Sequence, residues 1–277
     1  MSQFVYSRFV VMFCAGLFSL ALLFGVATPA TADEPSSGAD EAQASEDKRD
    51  KQWSQWERMF ARRGESLELH QRAMGRLTSL VDEYPDDYEI QWKCARAFYY
   101  FSQRYEKEQD DLGRAIQVTR HGLRCAERAV RANPRDFEGK YWRLMHQVRV
   151  TAGESQLRAL REAAKFVKTL EQLVEEHPDR AEARMMLGGL YRVLPGPPVS
   201  FGNNRRSLDI LKEAEKIGPV RAELALELAE THKALGNTEK ARAYYLKATK
   251  APGYPGMDFE LEDARRYGRE MYEKLGR

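Results

Sequence analysis

Residues 225–237 read Ala225-Leu226-Glu227-Leu228-Ala229-Glu230-Thr231-His232-Lys233-Ala234-Leu235-Gly236-Asn237, and Ala241, Tyr245, Ala248 and Pro252 follow. Ala, Leu, Glu and Lys are strong helix formers, so the stretch up to Ala234 reads as a helix. Gly236 stops it, because glycine takes the left-handed conformation that closes a helix C-terminus. Asn237 then stands where the next helix needs a capping residue. Ala241, Tyr245 and Ala248 recur at intervals of four and three, which puts them on one face of that second helix. A proline cannot continue the helical ladder and constrains its predecessor, so Pro252 closes the unit. The stretch is a hairpin of two amphipathic helices.

Working outward, the same grammar repeats toward the N-terminus. Pro85, Pro134, Pro178, Pro219 and Pro252 are separated by 49, 44, 41 and 33 residues. At fixed offsets before the first four prolines stand Ala73, Leu77 and Leu80; Gly122, Ala126 and Ala129; Phe166, Leu170 and Leu173; and Ser207, Leu211 and Ala214. Each triplet forms a single small-or-apolar stripe. A second helix is expected after each proline, most clearly from Ala183 to Tyr191. Sustained strand alternation is absent from residue 51 onward, so the fold class is all-α. The expected architecture is an α-solenoid of about four helix pairs, with an added N-terminal helix and a C-terminal helix over about 258–275. Phe259, Ala264, Tyr267 and Met271 lie on one stripe of that last helix, which reads as a solvating cap.

The ends differ in kind. Residues 1–32 hold one charge, Arg8, then an apolar run from Phe9 to Ala27 and the small residues Ala30-Thr31-Ala32. That order describes a signal peptide cleaved after Ala32. The alternative is an uncleaved anchor, since the run of 19 residues is just long enough to span a bilayer. Residues 33–50 carry seven acids and two bases with no aromatic or β-branched residue. Such a segment cannot bury enough apolar surface to offset its ordering entropy, so it is expected to be a disordered tether. Residues 51–277 form the helical domain. The export signal implies a periplasmic or otherwise exported location.

The 277 residues include 44 Lys and Arg against 42 Asp and Glu. One base falls in 1–32, and the tether takes two bases and seven acids, leaving 41 bases and 35 acids in 51–277. This net +6 falls short of a nucleic-acid footprint but favours an anionic partner. No HExxH, P-loop, GxSxG or CxxC motif occurs, which argues against an enzyme. His70, His121, His146, His177 and His232 lie at no spacing a metal needs. No cofactor or metal is expected. Cys94 and Cys125 stand on neighbouring helices, either as a disulfide or as two buried thiols.

The offsets of Leu228, Ala229, Gly236, Ala241, Tyr245 and Ala248, and of Leu187, Gly188 and Tyr191, resemble the tetratricopeptide repeat (TPR), whose helix pairs stack into a superhelix. The region 187–250 is also similar to the T-component proteins of TRAP transporters, which are periplasmic and carry a Pro-Pro loop at this place. It resembles, too, the TPR domain of the regulator-of-microtubule-dynamics proteins. The TPR resemblance implies that the first helix of each pair lines a groove. Projected here, that face holds Lys93, Ala97 and Tyr100, then Trp142, His146 and Arg149, then Met185, Gly189 and Arg192, an aromatic and basic lining. The insertion Leu194-Pro195-Gly196-Pro197-Pro198-Val199-Ser200-Phe201 reads as a rigid loop whose apolar side chains need a packing partner. The resulting expectation is an exported, non-enzymatic scaffold for a protein or peptide partner. The T-component resemblance implies a periplasmic substrate-binding protein as partner, and in some members a homo-oligomer. The alternative is a carrier of small hydrophobic or anionic ligands that uses the loop as part of a pore or lid.

Overall fold

The computed structural model describes residues 37–276, with eleven α-helices, one 3-10 turn and no strand among them. These residues divide into two compact units at Glu83/Tyr84. The single helical domain expected over 51–277 is therefore two units.

The first unit holds α1 (Ser37–Ala61), the 3-10 turn Arg62–Glu65 and α2 (Leu67–Glu83). Trp56 donates its indole N–H to the carbonyl of Ala73 at 3.1 Å, joining the two helices. Phe60 stacks on Trp56, and the Arg63 guanidinium covers the Phe60 ring at 4.1 Å. The expectation of disorder over 33–50 is corrected for residues 37–50, which are helical. Low apolar content does not prevent this, because Ala, Glu, Gln, Lys and Arg propagate a helix that the buried Trp56 face has already nucleated. Lys48 adds an ion pair to Glu83 at 2.7 Å. The signal segment lies outside the described residues.

The second unit stacks four helix pairs and a final helix. The pairs are α3 (Tyr88–Gln109) with α4 (Leu112–Ala132), and α5 (Phe137–Glu154) with α6 (Gln156–Glu176). Then come α7 (Ala181–Val193) with α8 (Asn204–Ile217), α9 (Ala222–Ala234) with α10 (Thr238–Lys250), and α11 (Asp258–Lys274). The starts are fixed by side chains that accept from orphan backbone N–H groups: Asp87 from Ile90, Asp111 from Arg114, Asp136 from Glu138 and Asn203 from Arg205 and Arg206. Asn237 takes the capping position of α10, yet its side chain makes no capping bond. Gly236, at φ +75°, ends α9 as expected.

The repeated triplets define the core. All twelve residues before the first four prolines are buried, as are Ala241, Tyr245 and Ala248. These stripes on α2, α4, α6, α8 and α10 are thus the packing faces of the second helices. At the C-terminal end, Ala225, Leu226, Ala229 and Tyr245 pack with Met271 of α11, and Ala264 and Tyr267 flank them. Cys94 of α3 and Cys125 of α4 form a disulfide with Cα atoms 6.0 Å apart.

Candidate functional site

The structure brings together most of the residues projected onto the groove, but as walls rather than as an open lining. Trp142 and His146 have no exposed surface, and Lys93, Tyr100, Arg149 and Met185 are buried as well. Trp142 donates its indole N–H to Glu138 at 3.0 Å and lies against Tyr99 and Tyr100. The His146 ring hydrogen-bonds the carbonyl of Ala95 at 2.9 Å, and burial pushes its pKa down to about 4, so it is neutral at physiological pH. On α3 every residue from Ile90 to Gln103 is buried, so Trp92, Phe98, Tyr99, Tyr100 and Phe101 are core, and Tyr88 and Tyr105 are the half-buried rings. That helix packs against α4 and α5, and its Lys107 reaches Asp263 of α11.

The basic character expected of this face is corrected too. Lys93 is paired with Glu89 at 2.5 Å, Arg149 with Glu106 at 2.6 Å, and Arg192 with Glu227 at 2.5 Å. Burying a cation without a counter-ion is too costly, so each carries its own carboxylate.

A row of carboxylates instead recurs along the first helices. The second residue of α3, α5, α7 and α9 is glutamate each time: Glu89, Glu138, Glu182 and Glu223. The last three are buried. In the first turn they face the positive end of the helix dipole, which favours an anion there. Arg180 bonds Glu138 and reaches Glu182 at 3.4 Å. Burial raises the Glu138 pKa, and Arg180 offsets only part of that. Glu223 has no such cation bonded to it. Burial, with a smaller contribution from Glu260, pushes it up to about 7 against the opposing pull of its own backbone N–H and Arg221. One oxygen each of Glu182, Glu223 and Glu227 is buried without a hydrogen-bond donor. The recurrence was readable in the sequence as Tyr-Glu, Phe-Glu, Ala-Glu and Ala-Glu, three residues after each proline, but the projected stripe passed it by.

The inserted loop is built rather than loose. Gly202 donates to the carbonyl of Pro195 at 2.9 Å and Asn203 to that of Tyr191 at 2.7 Å. The Pro197–Pro198 bond is cis. Phe201 meets the edge of Tyr191, and Leu194 turns inward, so these two find the partners their apolar character requires. Val199 remains 68% exposed beside the exposed Pro197 and Pro198.

Leu194 and Val193 close one side of a cavity of about 80 Å³ between α5, α6 and α7. Met145, Val148, Leu160, Phe166, Met186 and Leu190 form most of its wall, and Arg149 is the charged member. The Arg149 guanidinium is held by the Thr119 hydroxyl at 3.2 Å and the Ser102 carbonyl at 3.3 Å in addition to Glu106. Among the described residues no three metal-ligating side chains gather. No helix among them is long and apolar enough to cross a membrane.

Residues 56–193 match the family model described as regulator of microtubule dynamics protein 1-3, and residues 199–255 match that of the tetratricopeptide repeat. No curated protein matches the chain. Among solved structures, a thermophilic TPR protein of Thermus thermophilus superposes with a TM-score of 0.52 at 18% identity, over 77% of this chain and 99% of that one. A MamA structure, AMB-1, gives 0.39 at 16% identity over 70% and 96%. The buried triplets, the helix pairs and these matches agree on the fold, a TPR-like array of stacked helix pairs, with residues 199–255 matching the repeat itself.

Proposed function

We propose that the protein is an exported scaffold whose first-helix face binds a segment of a protein partner. The carrying observation is the glutamate row. Glu182 and Glu223 of the row, and Glu227 one turn beyond Glu223, each keep a buried oxygen without a donor, and buried acceptors of this kind are normally satisfied. A partner segment that lays N–H groups or a cationic side chain along the row would supply the donors. The basic lining pointed to an anionic partner, but Lys93, Arg149 and Arg192 on that face are already paired. Export is supported by the signal-like order of residues 1–32 and by the Cys94–Cys125 disulfide, since disulfides persist in oxidising compartments. The T-component resemblance points to a periplasmic substrate-binding protein as the partner. The test is a pull-down from the native host with wild-type protein and a Glu182→Ala, Glu223→Ala variant as baits. A partner held by the wild type and lost from a folded variant supports the reading, and equal retention by both rejects it.

A second reading, as a carrier of a small apolar ligand, is favoured by the cavity against Leu194. It is small beside the roughly 150 Å³ that holds benzene in an engineered core, so it would take a short chain or the tip of a longer one. Native mass spectrometry should then show a bound species that Ala163→Leu, which fills the space, expels. A wild-type protein of bare polypeptide mass removes this reading.

A further inference from the structure

The last helix does more than cap the last repeat. Its C-terminal half is anchored where a cap belongs: Met271 packs on Ala225, Leu226 and Tyr245, and the Tyr267 hydroxyl donates to Glu230 at 2.6 Å. Its N-terminal half instead reaches back to α3, the first helix of the same unit. Lys107 and Asp263 form an ion pair at 3.0 Å across 156 residues of sequence. The Arg104 guanidinium lies over the Phe259 ring at 4.6 Å.

The position of these contacts on α3 is informative. Lys93, Ala97, Tyr100, Arg104 and Lys107 recur at intervals of four, three, four and three, so Arg104 and Lys107 continue the stripe that the repeat projects toward the groove. On α11, Phe259 and Asp263 are one turn apart and share a face. The last helix thus covers the end of the groove face of the first, joining the two ends of the array.

We propose that the N-terminal half of α11 is an intramolecular occupant of the α3 end of the groove, and that the natural partner presents the same chemistry. That chemistry is a helical segment with an aromatic residue and a carboxylate four positions apart, which engages Arg104 and Lys107 in place of Phe259 and Asp263. The clasp is made to open. Lys107 is about half exposed, and an exposed ion pair with one cation–π contact is weak and salt-screened. Opening leaves the Met271 anchor in place, so only the first turns of α11 need to move. The inference rests on the groove-binding reading above, but its test needs no partner.

The probe is a fluorescein-labelled peptide of residues 258–275, titrated into the full chain. Apparent affinity falls with the fraction of chains whose site is open. The Phe259→Ala, Asp263→Lys chain should therefore bind the peptide about tenfold or more tighter than wild type. Adding Arg104→Ala and Lys107→Glu should remove that gain. A second measurement leaves α11 unaltered: in Lys107→Glu, amide exchange over 258–263 should accelerate, while that over 267–274 stays protected. The proposal is overturned if the opened chain binds no tighter, if the gain survives loss of Arg104 and Lys107, or if exchange over 258–263 does not change. Failure of the pull-down with these results intact would count against the glutamate row alone.

Discussion

Two buried side chains tie stability to pH in opposite directions. Glu223 has its pKa pushed up to about 7 in the fold, above the ordinary carboxylate value. The folded state therefore holds its proton where the unfolded chain has lost it. This group's contribution is fully present at low pH and disappears as pH rises through about 7. Glu223→Gln should melt above wild type at pH 8, with the difference gone near pH 4, as read by circular dichroism. His146 is the reverse case, with its pKa lowered to about 4 in the fold. Its contribution is present above the unfolded value near 6.5 and is lost as pH falls from there toward 4. In the Glu223→Gln background, where the carboxylate no longer interferes, melting temperature should drop steadily over that window. A flat profile would show that His146 is not held neutral. Neither environment is visible in a one-letter string, because each depends on how deeply one helix is sunk among others.

At the scale of the element, the junction of α4 with α5 is closely packed. A Cβ added at Gly122 would stand 2.2 Å from the His146 ring and 2.9 Å from the Phe98 Cβ. Gly122→Ala should therefore cost about 1–3 kcal/mol by overpacking, measured as a lower urea midpoint with an unchanged slope. Gly75, on α2, has open space at its Cβ position. Gly75→Ala should gain up to about 1 kcal/mol from helix propensity, and a loss there would show that this face of α2 is covered. The helices themselves were legible because proline, glycine and the four-three stripe act locally: all fifteen triplet positions are buried as the pattern required. The helical stretch 37–50 was not legible, because whether a polar, helix-prone segment orders depends on the α1 residues that continue it and bury Trp56.

For the whole molecule, the disulfide is the covalent statement of the fold. Cys94 and Cys125 lie on the two helices of one pair and are both buried. A chain cleaved after Ala32 retains only these two cysteines, so it should show no free thiol when denatured without reductant. Two thiols per chain would refute the pairing. Sequence alone indicated an all-helical, TPR-like array, where its helices break, and which face of each second helix is core, since these follow from backbone chemistry and a 3.6-residue period. Tertiary structure decided what the first-helix faces became. A stripe records that Lys93, Arg149 and Arg192 share a side, but not that Glu89, Glu106 and Glu227 meet them there. Nor does it record that α11 reaches α3. Charge pairing, burial depth and the closure of an array are set by contacts distant in sequence, and a periodic pattern carries no information about them.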